Sequence, residues 1–92
     1  MSLYTLKLSS RFKSDYKKLK NNKRFIQEFE RVIGLLENGE RLEKKYRDHN
    51  LEGKLSNLRE CHVFPDILLV YKLLDKELIL QLLRVGSHSE IF

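Results

Sequence analysis

The chain has 92 residues, 41% of them hydrophobic, and carries 18 Lys/Arg against 13 Asp/Glu for a net charge of +5. That length supports one domain, residues 1–92, around a single modest core, and excludes a second domain or a large enclosed cofactor cavity. One cysteine, Cys61, excludes an intramolecular disulfide; with no signal-like N-terminus and no apolar run near the ~20 residues of a membrane span, a cytoplasmic protein without membrane association is expected.

The first segment, Leu3–Leu8, alternates so that Tyr4, Leu6 and Leu8 share one face, which predicts a strand with one side buried. Ser9 or Ser10 then offers a helix N-cap. Phe12, Tyr16 and Leu19 follow at helical spacing to about Asn21-Asn22, and a second helix carries Phe25, Phe29, Val32, Ile33 and Leu36 before stopping at Asn38-Gly39. The two helices read as an antiparallel hairpin whose apolar stripe is core, because a small sheet needs a layer to pack on. Residues 40–57 are polar, charged and glycine-containing, and read as an irregular connection that holds His49.

From Leu58 onward the pattern is β. Pro65-Asp66 supplies one turn, Asp75-Lys76 a second, and the runs between them predict a three-stranded antiparallel meander. With two-residue turns at both places, Phe64 lies opposite Ile67 and then Arg84, while His62 lies opposite Leu69 and then Leu82. Glu60, His62 and Arg84 then share a face, with His62 and Arg84 two strands and roughly 10 Å apart, a gap that admits a nucleotide phosphate and sugar. A one-residue slip in either turn undoes this placement. The expected fold class is α+β: an N-terminal strand and a helical hairpin packed on a small twisted, mainly antiparallel sheet.

Charge is unevenly spread. Residues 1–50 hold 13 Lys/Arg against 7 Asp/Glu, and residues 51–92 hold 5 against 6. Between Arg11 and Arg24 lie seven cations and a single anion, Asp15, so Lys17, Lys18 and Lys20 are expected to draw in a polyanion through salt-sensitive phosphate contacts. The plainer alternative is a solvated helix face.

The C-terminal half brings together the groups that phosphodiester chemistry needs. His49, His62, Asp66 and His88 are candidate acids and bases, and Arg84 is a bidentate cation for a charged phosphoryl group. Glu60 can orient His62, and Phe92, four residues beyond His88, can stack on a base. Each also has a structural reading: Asp66 as a turn residue, Arg84 as a surface partner of Glu60, Phe92 as a plug of the core. No metal site is expected, because Cys61 and His62 point to opposite faces of a strand and no Cys-x-x-Cys or His-x-x-x-His pair is present. Neither a metal nor any small-molecule cofactor is called for.

The segments Tyr46–Gly53 (YRDHNLEG), Leu58–Lys72 (LRECHVFPDILLVYK) and Arg84–Phe92 (RVGSHSEIF) resemble the YafQ branch of the RelE/ParE toxin superfamily, in order and over nearly the whole chain. The resemblance implies a bacterial type II toxin, an endoribonuclease that cuts mRNA in the ribosomal A site with ribosomal RNA contacts and is silenced by a cognate antitoxin. It implies that His49, His62, Asp66 and His88 form the acid/base set, that Arg84 binds the phosphate and that Phe92 places the RNA. His88 is expected to lead proton transfer, with Asp66 and His62 sharing base and orienting duties and His49 completing the pocket. Glu60 falls where some relatives have aspartate. Two alternatives use the same fold or the same charge: a ParE-like gyrase inhibitor, which has no need of clustered histidines, and a nonenzymatic RNA- or ribosome-binding module that relies on the basic hairpin alone.

Overall fold

The computed structural model describes residues 2–92. In chain order its elements are β1 (Thr5–Leu8), α1 (Ser10–Lys17), α2 (Lys23–Glu37), β2 (His49–Asn50), β3 (Arg59–Phe64), β4 (Ile67–Leu74), β5 (Ile79–Gly86) and α3 (His88–Ile91). The strands form one sheet in the order β1-β5-β4-β3-β2. β1 runs parallel to β5 and the other pairings are antiparallel, which gives the expected α+β architecture.

The first helix begins at the cap the sequence offers, and the second takes as its cap Asn22, which the sequence marks only as the end of the first. The Ser9 hydroxyl accepts from the Phe12 N–H at 3.0 Å, and the Asn22 side chain accepts from the Phe25 N–H at 3.1 Å. Phe12 stacks on Phe29 at 5.9 Å between centroids while Tyr16 meets Phe25 at 6.3 Å, so the helices run antiparallel. α1 is shorter than its periodicity predicts. After Lys17 the chain closes in a turn in which the Leu19 and Lys20 N–H groups both donate to the Tyr16 carbonyl. α2 ends as expected, with Gly39 at φ +71°, where an added Cβ would meet Leu3 at 2.9 Å. The core lies between the helices and the sheet face that carries Cys61, Val63, Leu69, Tyr71, Leu80, Leu82 and Val85.

Three expectations are corrected. The first strand is Thr5–Leu8 rather than Leu3–Leu8, and Leu6 and Leu8 are exposed although Tyr4 packs against the core. As an edge strand β1 has a neighbour on one side only, and α1 packs over β5 rather than over β1.

Residues 40–57 are not wholly irregular. They contain 3-10 turns at Lys44–Tyr46 and Gly53–Leu55 and, between them, β2, which places His49 opposite Glu60 and Asn50 opposite Arg59. Two residues are too few for alternation to reveal a strand; side chains hold it instead. Arg59 donates to Asp48 at 2.8 Å, to Asn50 at 2.5 Å and to the Tyr71 hydroxyl at 3.3 Å, and that hydroxyl donates to Asp48.

The Pro65-Asp66 turn has its expected two residues, with Phe64 opposite Ile67. The turn at Asp75-Lys76 takes four residues, 75–78, between β4 and β5, with Leu78 at φ +53°. The ladders are also interrupted between His62 and Phe64 and between Val70 and Tyr71. The expected rows are therefore replaced by Glu60–Val70–Arg84 and His62–Leu68–Gly86. The β3–β4 pairing moves by one residue and the β4–β5 pairing by three, so the parity is kept. Glu60, His62 and Arg84 still share a face, now backed by Val70 and Leu68 instead of Leu69 and Tyr71.

Candidate active site

The sheet sets the candidate residues out in rows. His49, Glu60, Val70 and Arg84 lie side by side on four adjacent strands, β2, β3, β4 and β5. At ~4.8 Å per strand, Glu60 and Arg84 are about 10 Å apart along this row. The next row, two residues or ~7 Å further along, is His62, Leu68 and Gly86. Beyond it Asp66 lies in the β3–β4 turn and His88 opens α3, each two residues past the Leu68–Gly86 pair. Val70 and Leu68 are buried but belong to the face turned away from the helices, and form an apolar floor between the polar groups.

Within the first row His49 and Glu60 are in contact, Nε2 to Oε2 at 3.1 Å. Glu60 is only 7% exposed. The other ring nitrogen, Nδ1, lies 2.5 Å from the Arg47 carbonyl, which can only accept, so Nδ1 carries a proton. Nε2 and the carboxylate then form a hydrogen bond when a second proton lies between them. The pair sits at the rim of the sheet, and Glu60 contacts His49 rather than the expected His62. His62 instead has Nδ1 3.4 Å from the Pro65 carbonyl.

Arg84 does not pair with Glu60. Its Nε donates to Asp15 Oδ2 at 2.7 Å, and its Nη2 reaches Asp15 Oδ1 at 3.2 Å and the Glu90 carbonyl at 3.4 Å. The same Oδ2 accepts the Val85 N–H at 3.1 Å. Burial pushes the Asp15 carboxyl upward, but the Arg84 hydrogen bonds and the Val85 N–H outweigh it and hold the group below its ordinary value. The hydrogen bonds to Asp15 raise the guanidinium in turn, so this cation is fixed in charge and in direction.

α3 is one turn long and depends on its cap. Ser87 accepts from the Glu90 N–H at 3.3 Å while Glu90 accepts from the Ser87 N–H at 3.0 Å, a reciprocal capping box. It presents His88 and Phe92 with ring centroids 5.2 Å apart. Phe92 is 51% exposed, which removes the reading of this residue as a core plug. Asp66 is exposed in its turn. Lys18 borders a small cleft with Asp15, Val85, Gly86 and Glu90 and so stands beside the site, whereas Lys17 and Lys20 lie exposed on the hairpin outside it.

Two groups escape sequence reasoning. Asp15 is visible only as the lone anion in a run of cations, and nothing local connects it to Arg84. Asp48, Arg59 and Tyr71 anchor the strand that carries His49, and their meeting depends on the β2–β3 register. Among the described residues no three or more His, Cys, Asp or Glu side chains are grouped to hold a metal ion, and no helix is long and apolar enough to cross a membrane.

A helical hairpin on a mainly antiparallel five-stranded sheet, with histidines, carboxylates and one arginine gathered at one end, defines a RelE-like α+β toxin fold. Residues 4–92 match the model of a family described as the bacterial toxin of type II toxin–antitoxin systems, YafQ. The chain belongs to this YafQ toxin family. It is 32% identical to the mRNA interferase toxin YafQ of Escherichia coli strain B / BL21-DE3 over 88 residues, 95% of this chain and 94% of that protein. With the K12 protein of the same name it shares 45% identity over 47 residues, about half the length of each. Among solved structures it resembles a metal-bound toxin from Helicobacter pylori (TM-score 0.89, 43% identity, 97% of this chain and 99% of that one). It also resembles the toxin in the E. coli DinJ–YafQ toxin–antitoxin complex (TM-score 0.86, 30% identity, 98% of each chain).

Proposed function

We propose that the whole chain, residues 1–92, acts as a ribosome-dependent mRNA endoribonuclease that works by acid/base chemistry without a metal. The observation that carries this reading is the row from His49 and Glu60 across Val70 to Arg84. The His49–Glu60 pair and the fixed Arg84 stand in one row, Glu60 and Arg84 about 10 Å apart with the apolar Val70 between them, and His62, Asp66 and His88 lie beyond it at the same end of the sheet.

In this site the RNA phosphate lies against Arg84, whose free Nη1 edge faces the oxygens that gain charge as the pentavalent phosphorane forms. A base takes the 2′-hydroxyl proton as the 2′-oxygen bonds to phosphorus. An acid gives a proton to the 5′-oxygen as its bond to phosphorus breaks, leaving a 2′,3′-cyclic phosphate and a 5′-hydroxyl. His88 leads this proton transfer from the start of α3, with Asp66 and His62 as base and orienting groups and His49, held by Glu60, completing the pocket. Phe92, beside His88, stacks on a base. Every role is filled by a side chain, so no Lewis acid is called for. Lys17, Lys18 and Lys20 steer the RNA and meet ribosomal RNA.

The curated relatives named mRNA interferase support the RNA substrate, and the DinJ–YafQ complex supports a cognate antitoxin as partner. Such a toxin acts where mRNA and ribosomes are, in the cytoplasm. The test is to map mRNA 5′ ends in a reconstituted translation reaction, with and without ribosomes, for the wild type, His88→Ala and Arg84→Ala. Codon-phased cuts that need ribosomes and vanish in both variants are expected. A folded wild type that cuts nothing under either condition removes this reading.

A further inference from the structure

We propose that Arg24, laid over the Phe64 ring between two clefts that reach His62 and Asp66, forms with Gln27 and Lys45 a nucleotide subsite for the RNA residue next to the scissile phosphate. The proposal rests on the nuclease reading above and adds to it the contact that grips the flanking nucleotide.

The first turn of α2 delivers Arg24 to the β3–β4 turn. Its Cζ stands over the Phe64 ring, 5.3 Å from the centroid, a cation–π contact. Arg24 is exposed, and among the described residues no carboxylate pairs with it. The other arginine among the candidate site residues, Arg84, is already held by Asp15. A stacked guanidinium with free donors can grip a phosphate bidentately or lie against a base.

Two clefts meet at this stack. One, of about 500 Å³, is lined by Arg24, Gln27, Lys45, Tyr46, Phe64 and His62, together with Glu28, Val63 and Pro65. The other, of about 290 Å³, shares Arg24, Phe64 and Pro65 and is bordered by Asp66. The larger volume falls within the range of small-ligand pockets, about 300–1,000 Å³. Both candidate proton-transfer groups on the β3–β4 hairpin thus open onto the same Arg24–Phe64 platform.

The far wall suits a nucleotide. Lys45 Nζ lies 5.1 Å from the Tyr46 ring centroid and 3.9 Å from Glu28, an exposed and weak pairing that a phosphate can outcompete. The Glu28 oxygen nearest Lys45 also accepts the Tyr46 hydroxyl, which holds the carboxylate on the Tyr46 side of the cleft. Gln27, one helical turn beyond Arg24 and exposed, offers an amide donor and acceptor to a base edge. Phosphate contact, stacking platform and base-edge reader are therefore present in one concavity that ends at His62.

The experiment is a titration of the full chain carrying His88→Ala, which blocks turnover, with a single-stranded pentaribonucleotide, read by NMR at the Arg24 Nε–H, the Gln27 side-chain amide and the Phe64 ring. Shifts at all three are expected, with affinity lowered about tenfold by Arg24→Ala and less by Arg24→Lys. Gln27→Ala is expected to level the preference among pentamers that differ at one base. Circular dichroism of each variant verifies folding, and because all three positions are at the cleft surface, Lys45→Ala provides an independent loss of affinity. No shift in the cleft, or affinities unchanged by Arg24→Ala, Gln27→Ala and Lys45→Ala, overturns the subsite. Cleavage by the wild type with no cleft shifts sinks the subsite and leaves the nuclease. Cleft shifts with no mRNA cleavage by the wild type in the translation reaction that contains ribosomes keep the RNA site and sink the nuclease.

Discussion

Asp15 and Arg84, 69 residues apart, are joined so that one carboxylate oxygen binds both the Arg84 Nε and the Val85 N–H, fixing a side chain and the adjoining backbone together. The Asp15 and Arg84 side chains are 14% and 21% exposed, so the pair is largely shielded from solvent. Asp15 acts on the proposed reaction only through Arg84 and is a positioning residue. Asp15→Asn keeps an oxygen acceptor but loses the charge and one of the two oxygens that clamp the guanidinium. Single-turnover cleavage is expected to slow about 10²-fold, the scale of a 1 Å misplacement of a reacting group. Arg84→Lys should slow it at least as much, because an ammonium cannot reproduce the fork. An Asp15→Asn protein that folds and cleaves at the wild-type rate refutes this role.

The same pair sets a pH dependence of stability. The Asp15 carboxyl sits below its ordinary value of about 3.9 in the folded chain. A group with a depressed folded value contributes its stability in full above the unfolded value and loses it as pH falls through the folded one. Wild-type stability should therefore drop below about pH 4 more steeply than that of Asp15→Asn, whose other carboxylates are unchanged. Urea denaturation at a series of pH values from neutral to acid checks this. Parallel acid limbs for the two proteins count against it.

What the sequence made legible follows from the range over which each feature is determined. α2 is local, and a stripe from Phe25 to Leu36 cannot be read otherwise. The Pro65-Asp66 turn is equally local. The Asp75–Leu78 connection escaped because Leu78, at φ +53°, gives no residue-type signal for a turn position. The interruption near Val70 has no sequence mark at all, yet it adds one residue to the two that the longer turn contributes, and together they move Arg84 from opposite Ile67 to opposite Val70. The site nonetheless kept its predicted face because the shifts on the two sides of β4 agree in parity. The partners of Arg84 and His49 were out of reach, since Asp15 and Glu60 meet them through tertiary packing and a two-residue strand.

His49 and Glu60 should be coupled energetically. His49→Ala leaves a carboxylate that is 7% exposed without its partner, at a cost of about 1–3 kcal/mol. Adding Glu60→Gln removes the stranded charge, so the double variant should be more stable than the sum of the single changes allows. A double-mutant cycle in urea measures the difference. Strict additivity would mean that the 3.1 Å contact contributes no coupling energy in solution.

Arg59 carries a different load, since it ties β2 to the sheet without touching the proposed reaction. Arg59→Ala removes donors to Asp48, Asn50 and the Tyr71 hydroxyl at once. Hydrogen bonds to charged partners are worth about 1.5–3 kcal/mol each in such settings, and the exposed Asn50 contact contributes least. The expected loss is about 2–3 kcal/mol, with faster amide exchange confined to β2 and its β3 partners. Tyr71→Phe is the control, since it keeps the buried ring and removes only the hydroxyl that bonds Asp48, at about 1 kcal/mol. Cleavage should follow the freedom of His49, falling in Arg59→Ala and staying near wild type in Tyr71→Phe. Equal exchange at β2 in the two variants would show that backbone pairing with β3 alone holds His49 in place.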